Sequence, residues 1–178
     1  NLGVSYALPE KYPALGHAAR VEVEGTGGVH VIENNTITNV TNASTPDASF
    51  STQTIGLVVS ASGAQTVRGN AISNIGSTVT TATGATALNN RVWGMVLSGT
   101  GVGTVVEKNI ISNIYASSAS TGARLDVITC MQSQANSTVQ ANGTYRNNFI
   151  STDGGTGSTE RSVTGILELS STGASTWA

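Results

Sequence analysis

One short phrase occurs four times in this chain, and its spacing limits the available folds more than any other feature. It reads Ile32-Glu33-Asn34-Asn35-Thr36-Ile37-Thr38-Asn39, then Val67-Arg68-Gly69-Asn70-Ala71-Ile72-Ser73-Asn74. The third copy is Val106-Glu107-Lys108-Asn109-Ile110-Ile111-Ser112-Asn113 and the fourth is Tyr145-Arg146-Asn147-Asn148-Phe149-Ile150-Ser151-Thr152. The shared Asn falls at 35, 70, 109 and 148, a period of 35, 39 and 39 residues. Self-similarity at such a period, with one Asn and one Ile held in register, marks a stacked array.

A second phrase runs between the first ones: Gly56-Leu57-Val58-Val59-Ser60, Gly94-Met95-Val96-Leu97-Ser98, Cys130-Met131-Gln132-Ser133 and Gly165-Ile166-Leu167-Glu168-Leu169. A weaker copy is Arg20-Val21-Glu22-Val23-Glu24. These runs are short and β-branched, as strands prefer. Alternation puts Leu57 and Val59 on one face and turns Ile32 and Ile37 to the same inner side. No repeat contains an amphipathic helical stretch through which the chain could cross back. Equivalent strands therefore lie side by side only if the chain winds as a solenoid, with about 4.8 Å between coils. One coil cannot bury its own apolar face, so neighbours must stack.

Stacking places like on like. Ile37, Ile72, Ile111 and Ile150 are expected to form one core column, and Ile32, Val67, Val106 and Tyr145 another. Asn35, Asn70, Asn109 and Asn148 form a ladder at a bend, where Asn suits a left-handed backbone and its amide both donates to and accepts from the next coil. Two residues before each ladder Asn stand Glu33, Arg68, Glu107 and Arg146. Their signs alternate, so adjacent coils pair opposite charges on the solvent face. Each pair is worth under about 1 kcal/mol, and its use is to oppose a slip of register.

Composition agrees with a narrow aliphatic core: aromatics are 4% of the 178 residues. With 10% charged residues and a net charge of −2, the chain lacks the basic stripe that nucleic acid requires. There is no apolar stretch of about 18 residues to insert in a membrane. Cys130 is the single cysteine, so no internal disulfide forms, and the redox compartment stays open. No signal peptide is visible, and the chain begins at Asn1.

These phrases resemble the right-handed parallel β-helix family, the architecture of pectate lyases, pectin-active hydrolases and many bacterial surface proteins. The family pattern is roughly Gly-Ile-x-Leu, a turn, then Ile-x-x-Asn-x-Ile. Gly56 to Asn74 and Gly94 to Asn113 follow it closely; 20–39 and 130–152 follow it in part, because Cys130 replaces Gly and Thr152 replaces the last Asn. The resemblance implies an all-β fold, a right-handed parallel β-helix of four to five coils with long loops on one side. Residues 1–19 read as an irregular lead-in or partial cap, with Tyr6, Leu8, Tyr12 and Leu15 available to fold over the first coil. Residues 20–178 read as the β-helix, either a segment of a longer protein or a module whose uncapped ends stack on one another.

The resemblance fixes fold more than function, because one scaffold hosts many activities. Lyases similar to this family use clustered acids for calcium with an Arg or Lys base, and the hydrolases use clustered Asp residues. No such cluster recurs here, and no catalytic residue is assigned. Arg124 with Asp126 is the nearest remnant, and it reads as a solvated loop pair before it reads as a catalytic one. His17 and His30 are too few for a histidine metal site, and His30 is expected to point outward. Asp153-Gly154-Gly155 offers one carboxylate where calcium wants six to eight oxygens, so it reads as a turn. No metal and no cofactor are expected. Cys130 sits where other coils carry Gly and reads as a small hydrophobe at a tight corner facing the core. Sequons begin at Asn34, Asn39, Asn42, Asn136 and Asn142; composition and the repeat account for many of them.

Long loops are expected at Val40–Ile55, Ile75–Trp93, Ile114–Thr129 and 153–164, all at one corner. Phe50, Trp93, Tyr115, Arg124 and Asp126 are their candidate ligand residues, for a polysaccharide or a surface protein. The alternative is that the loops only shield the sheet or pack on a neighbouring chain. The expected function is a non-catalytic structural or adhesive module of a bacterial surface or filament protein, extracellular or at the cell surface. The alternative is a carbohydrate-active lyase or hydrolase, or a fragment of one. A trimeric phage or virus fibre is a third reading.

Overall fold

The computed structural model describes residues 18–25, 28–43, 52–61, 63–78, 88–98, 103–117, 124–134, 143–152, 160–169 and 176–178. The first coil is β1 (Ala18–Gly25), β2 (Val29–Glu33) and β3 (Thr36–Asn42). The second is β4 (Thr52–Ala61), β5 (Ala64–Arg68) and β6 (Ala71–Ser77). The third is β7 (Leu88–Ser98), β8 (Thr104–Glu107) and β9 (Ile110–Ala116). The fourth is β10 (Arg124–Gln134), β11 (Gly143–Arg146) and β12 (Phe149–Thr152). A fifth begins with β13 (Glu160–Leu169) and β14 (Thr176–Trp177).

The strands sort into three parallel sheets. Sheet A is β1-β4-β7-β10-β13, sheet B is β2-β5-β8-β11-β14 and sheet C is β3-β6-β9-β12. Every strand pairs with its equivalent one coil away and with no other, which is the topology of a right-handed parallel β-helix. Among the described residues there is no helix.

The expected columns are in register. Ile37 pairs Ile72, Ile72 pairs Ile111 and Ile111 pairs Ile150. Ile32, Val67, Val106 and Tyr145 pair in the same way, and Trp177 extends that column. All of these from Ile32 to Tyr145 belong to one buried core, with Ile150 partly buried against it. Burying a Val, Leu or Ile side chain stabilises by about 1.5–3 kcal/mol, so this stack is the main source of stability.

Sheet A departs from simple alternation. Ile55 pairs Trp93 and Leu57 pairs Met95, while Gly56 and Gly94 between them both face the core. Cys130 takes the same place in β10 and lies in the core with Met131. These residues lie in mid-strand, not at a corner as the small-residue pattern suggested. The small side chain is required by close approach: a Cβ on Gly94 would lie 2.5 Å from the Cys130 carbonyl oxygen and 2.5 Å from Ile111. In the first coil the register shifts between Arg20 and Val21, so Gly56 has no counterpart there.

The four connections from sheet C to sheet A leave and return at one corner, as expected. They are shorter than expected, at 43–51, 78–87, 117–123 and 153–159, because the flanking strands run further. Of the expected partial cap, 1–19, residues 1–17 lie outside the described residues, while Ala18 and Ala19 already belong to β1.

Candidate functional site

Between sheets B and C the chain turns with only two residues: 34–35, 69–70, 108–109 and 147–148. The first of each pair holds the left-handed conformation, with φ of 56° at Asn34, 63° at Gly69, 56° at Lys108 and 54° at Asn147. The ladder Asn follows it and is not left-handed. The residues Asn35, Asn70, Asn109 and Asn148 are therefore not selected for backbone conformation, which corrects the sequence reading. They are selected for hydrogen bonding. Asn70 Oδ1 accepts from Asn35 N at 3.0 Å and from Asn35 Nδ2 at 3.0 Å. Asn109 Oδ1 accepts from Asn70 N at 3.0 Å and Nδ2 at 2.9 Å, and Asn148 Oδ1 accepts from Asn109 N at 3.1 Å and Nδ2 at 3.0 Å. The remaining amide hydrogens of Asn70, Asn109 and Asn148 go to the carbonyls of Ile32, Val67 and Val106. The bend turns backbone carbonyls out of line, and the side-chain amide supplies the acceptor that the next N–H would otherwise lack.

Beside the bend, the charge column forms as expected. Arg68 Nε donates to Glu33 Oε2 at 2.6 Å, and Arg146 Nε donates to Glu107 Oε2 at 2.8 Å. Arg68 also pairs Glu107 in the sheet B register. The hydrogen bond from Arg146 holds the Glu107 carboxyl below the usual carboxylate range, against a smaller opposing effect of desolvation.

A second ladder lies on the outside of sheet C. Asn39, Asn74 and Asn113 have φ of 62°, 54° and 51°, and the strand pairing skips each of them. Asn74 Nδ2 donates to Asn39 Oδ1 at 3.2 Å, and Asn113 Nδ2 donates to Asn74 Oδ1. This ladder was not among the expected site residues, although the final Asn of the repeated phrase marks it. In the fourth coil Thr152 replaces the Asn, and its hydroxyl donates to the Ile114 carbonyl at 2.8 Å.

Next to this ladder, Tyr115 lies flat on the preceding coil. It pairs Gly76, and a Cβ on Gly76 would fall 2.2 Å from the ring, so only glycine leaves room. The hydroxyl reaches Thr41 Oγ1, two coils away, at 3.5 Å. Tyr115 is thus in β9 and not in a loop. Trp93 is likewise in β7. It packs with Ile55, Val58 and Val96 in a small cluster separate from the core, and its indole N–H donates to Gln132 Oε1 at 2.8 Å. Arg124 and Asp126 are strand residues of β10, paired with Leu88 and Asn90, and their side chains are outside the described residues. Phe50, His17, Asp153, Asn136 and Asn142 are also outside them. The structure thus moves Trp93, Tyr115, Arg124 and Asp126 from loops to strands, because β7, β9 and β10 extend past the repeated phrases.

His30 also differs from expectation. It shares the inner face of β2 with buried Ile32, while Val29, Val31 and Glu33 are exposed. Its Nε2 is buried without a hydrogen-bond partner. Cys130 is buried, its thiol lies 3.9 Å from the Ser151 carbonyl, and burial pushes its pKa up to about 11. Among the described residues no three His, Cys, Asp or Glu side chains group to hold a metal ion. No helix among them is long and apolar enough to cross a membrane. Of the described sequons, Asn34 and Asn39 are exposed, whereas Asn42 is buried.

No family model matches this chain, and neither does any curated protein or any solved structure. The class is defined by architecture: an all-β parallel solenoid stitched by a buried Asn ladder.

Proposed function

We propose that this chain is a non-catalytic structural module, a rigid β-helical rod segment of an extracellular or cell-surface protein. The observation that carries the reading is where the reactive side chains go. Asn70 and Asn109 close the buried ladder, Arg68 and Arg146 clasp Glu33 and Glu107 between coils, and the Cys130 thiol is held protonated in the core. Groups that carry chemistry in enzymes are used here to lock one coil on the next. The bacterial surface setting rests on the resemblance to β-helix surface proteins.

A carbohydrate-active enzyme is the competing reading, and an activity screen separates the two. The protein is incubated with polygalacturonate, pectin and xylan, with and without calcium, and new chain ends are measured. No cleavage is expected. Turnover of any of them would overturn the structural role.

A further inference from the structure

We propose that the outer face of sheet C binds an uncharged oligosaccharide. This goes beyond the structural role, since a rod can be inert. The four strands of sheet C read TITNVTN, AISNIGS, IISNIYA and FIST, and contain no charged residue on either face. Sheet B, by contrast, carries the Glu33, Arg68, Glu107 and Arg146 column on its outside.

The uncharged wall has an amphipathic order. At one edge Ile110 and Phe149 are neighbours in register and are 52% and 61% exposed, the largest bare apolar groups on this sheet. Next to them run the hydroxyls of Thr38, Ser73 and Ser112, then the amides of the second ladder. Tyr115 stands at the far edge, clamped over Gly76. A sugar ring has the same make-up, an apolar C–H face and a rim of hydroxyls. The aromatic takes the face, and the hydroxyl and amide ribs take the rim. The ribs recur about every 4.8 Å; the hydroxyl rib continues through exposed Ser151 and spans about 14 Å from β3 to β12, the amide rib ends at Asn113 and spans about 10 Å, and both exceed one sugar.

Charge selects among glycans. A uronate would bring carboxylates to strands that hold no cation, with exposed Lys108 only at the bend before Ile110, so most of its desolvation cost is not returned. A neutral glycan brings no charge to desolvate, and its hydroxyls find hydroxyl and amide partners on the ribs. The ladder is already hydrogen-bonded and the strands are fixed, so little side-chain entropy is lost on binding.

The test is calorimetric titration with cellohexaose, xylohexaose and mannohexaose, with hexagalacturonate as the charged comparator. Binding of at least one neutral hexaose and none of hexagalacturonate is expected. Phe149→Ala should weaken it by about fivefold, and Ser112→Glu by at least that much. Val31→Ser, on the outer face of sheet B, should leave it unchanged. Thermal melts by circular dichroism confirm that each variant folds. The proposal falls if no neutral hexaose binds, if hexagalacturonate binds better, or if Phe149→Ala and Ser112→Glu bind like the parent. It also falls if sedimentation shows a dimer that Phe149→Ala dissolves, which would assign the face to a second copy. Chromatography of the recovered hexaose reads cleavage separately, so failure of the binding face and failure of the non-catalytic role are distinguishable.

Discussion

Asn70 Nδ2 donates to Asn109 Oδ1 at 2.9 Å across 39 residues of sequence, and both side chains are buried. The same Oδ1 accepts the backbone N–H of Asn70 at 3.0 Å. One amide oxygen therefore satisfies two donors of the coil before it.

Asn109→Ala removes that acceptor and the donor to the Val67 carbonyl together. Several buried polar groups lose their partners, so a loss of about 3 kcal/mol is expected. Asn35→Ala, at the half-exposed foot of the ladder, should cost about 1 kcal/mol, because water can replace its bonds. Urea denaturation of the two variants checks the difference in midpoint.

Gly94→Ala places a methyl group 2.5 Å from the Cys130 carbonyl oxygen and 2.5 Å from Ile111 Cγ2. Backbone has to move, and a loss of about 2 kcal/mol or more is expected. Gly165 occupies the same column in β13 with nothing within 4 Å of its virtual Cβ. Gly165→Ala should be neutral or slightly stabilising. Parallel melts of the two variants test whether close approach, and not strand position, demands glycine.

Lys108 holds φ of 56° at a bend where the other coils carry Asn34, Gly69 and Asn147. A side chain without Asn's local hydrogen bonding is strained there. Lys108→Asn should raise stability by about 0.5–1 kcal/mol. An unchanged or lowered urea midpoint would count against this account of the corner.

Glu107 has its folded pKa lowered by the hydrogen bond from Arg146. Its contribution is present above the unfolded carboxylate value and is lost as pH falls through the lower, folded value. The parent should therefore lose melting temperature on acidification more steeply than Glu107→Gln. The side chain is on the surface and screened, so the difference should be small and should shrink in high salt. Melting temperature against pH at two salt concentrations reads it.

Cys130, with its pKa raised to about 11 and its side chain in the core, stays a thiol at neutral pH. Iodoacetamide should leave it unmodified in native protein and alkylate it in denaturant. Rapid native alkylation would mean that β10 opens far more easily than its place between β7 and β13 implies.

Much of this architecture was readable in the chain. The four Asn phrases set the coil length, the alternation of Ile and polar residues set which face turns inward, and Glu33 to Arg146 announced the charge column. All of these repeat, and a repeat makes each residue's neighbour its own equivalent. Contacts between equivalents can be inferred without coordinates.

Other features depend on what touches an individual residue. Asn34 and Asn35 are adjacent and identical in type, yet one supplies the left-handed turn and the other the ladder. Trp93 and Tyr115 lie beyond the repeated phrases, where strand length decides whether they sit in a loop or on a sheet. His30 turns inward because β2 begins at Val29 and the pleat then carries it to the side of Ile32. Periodicity specified the stack from composition of equivalent positions alone; the exact bend, the register shifts opposite Gly56 and Asn113, and the side each side chain faces were settled only when three sheets had to close around one core of fixed width.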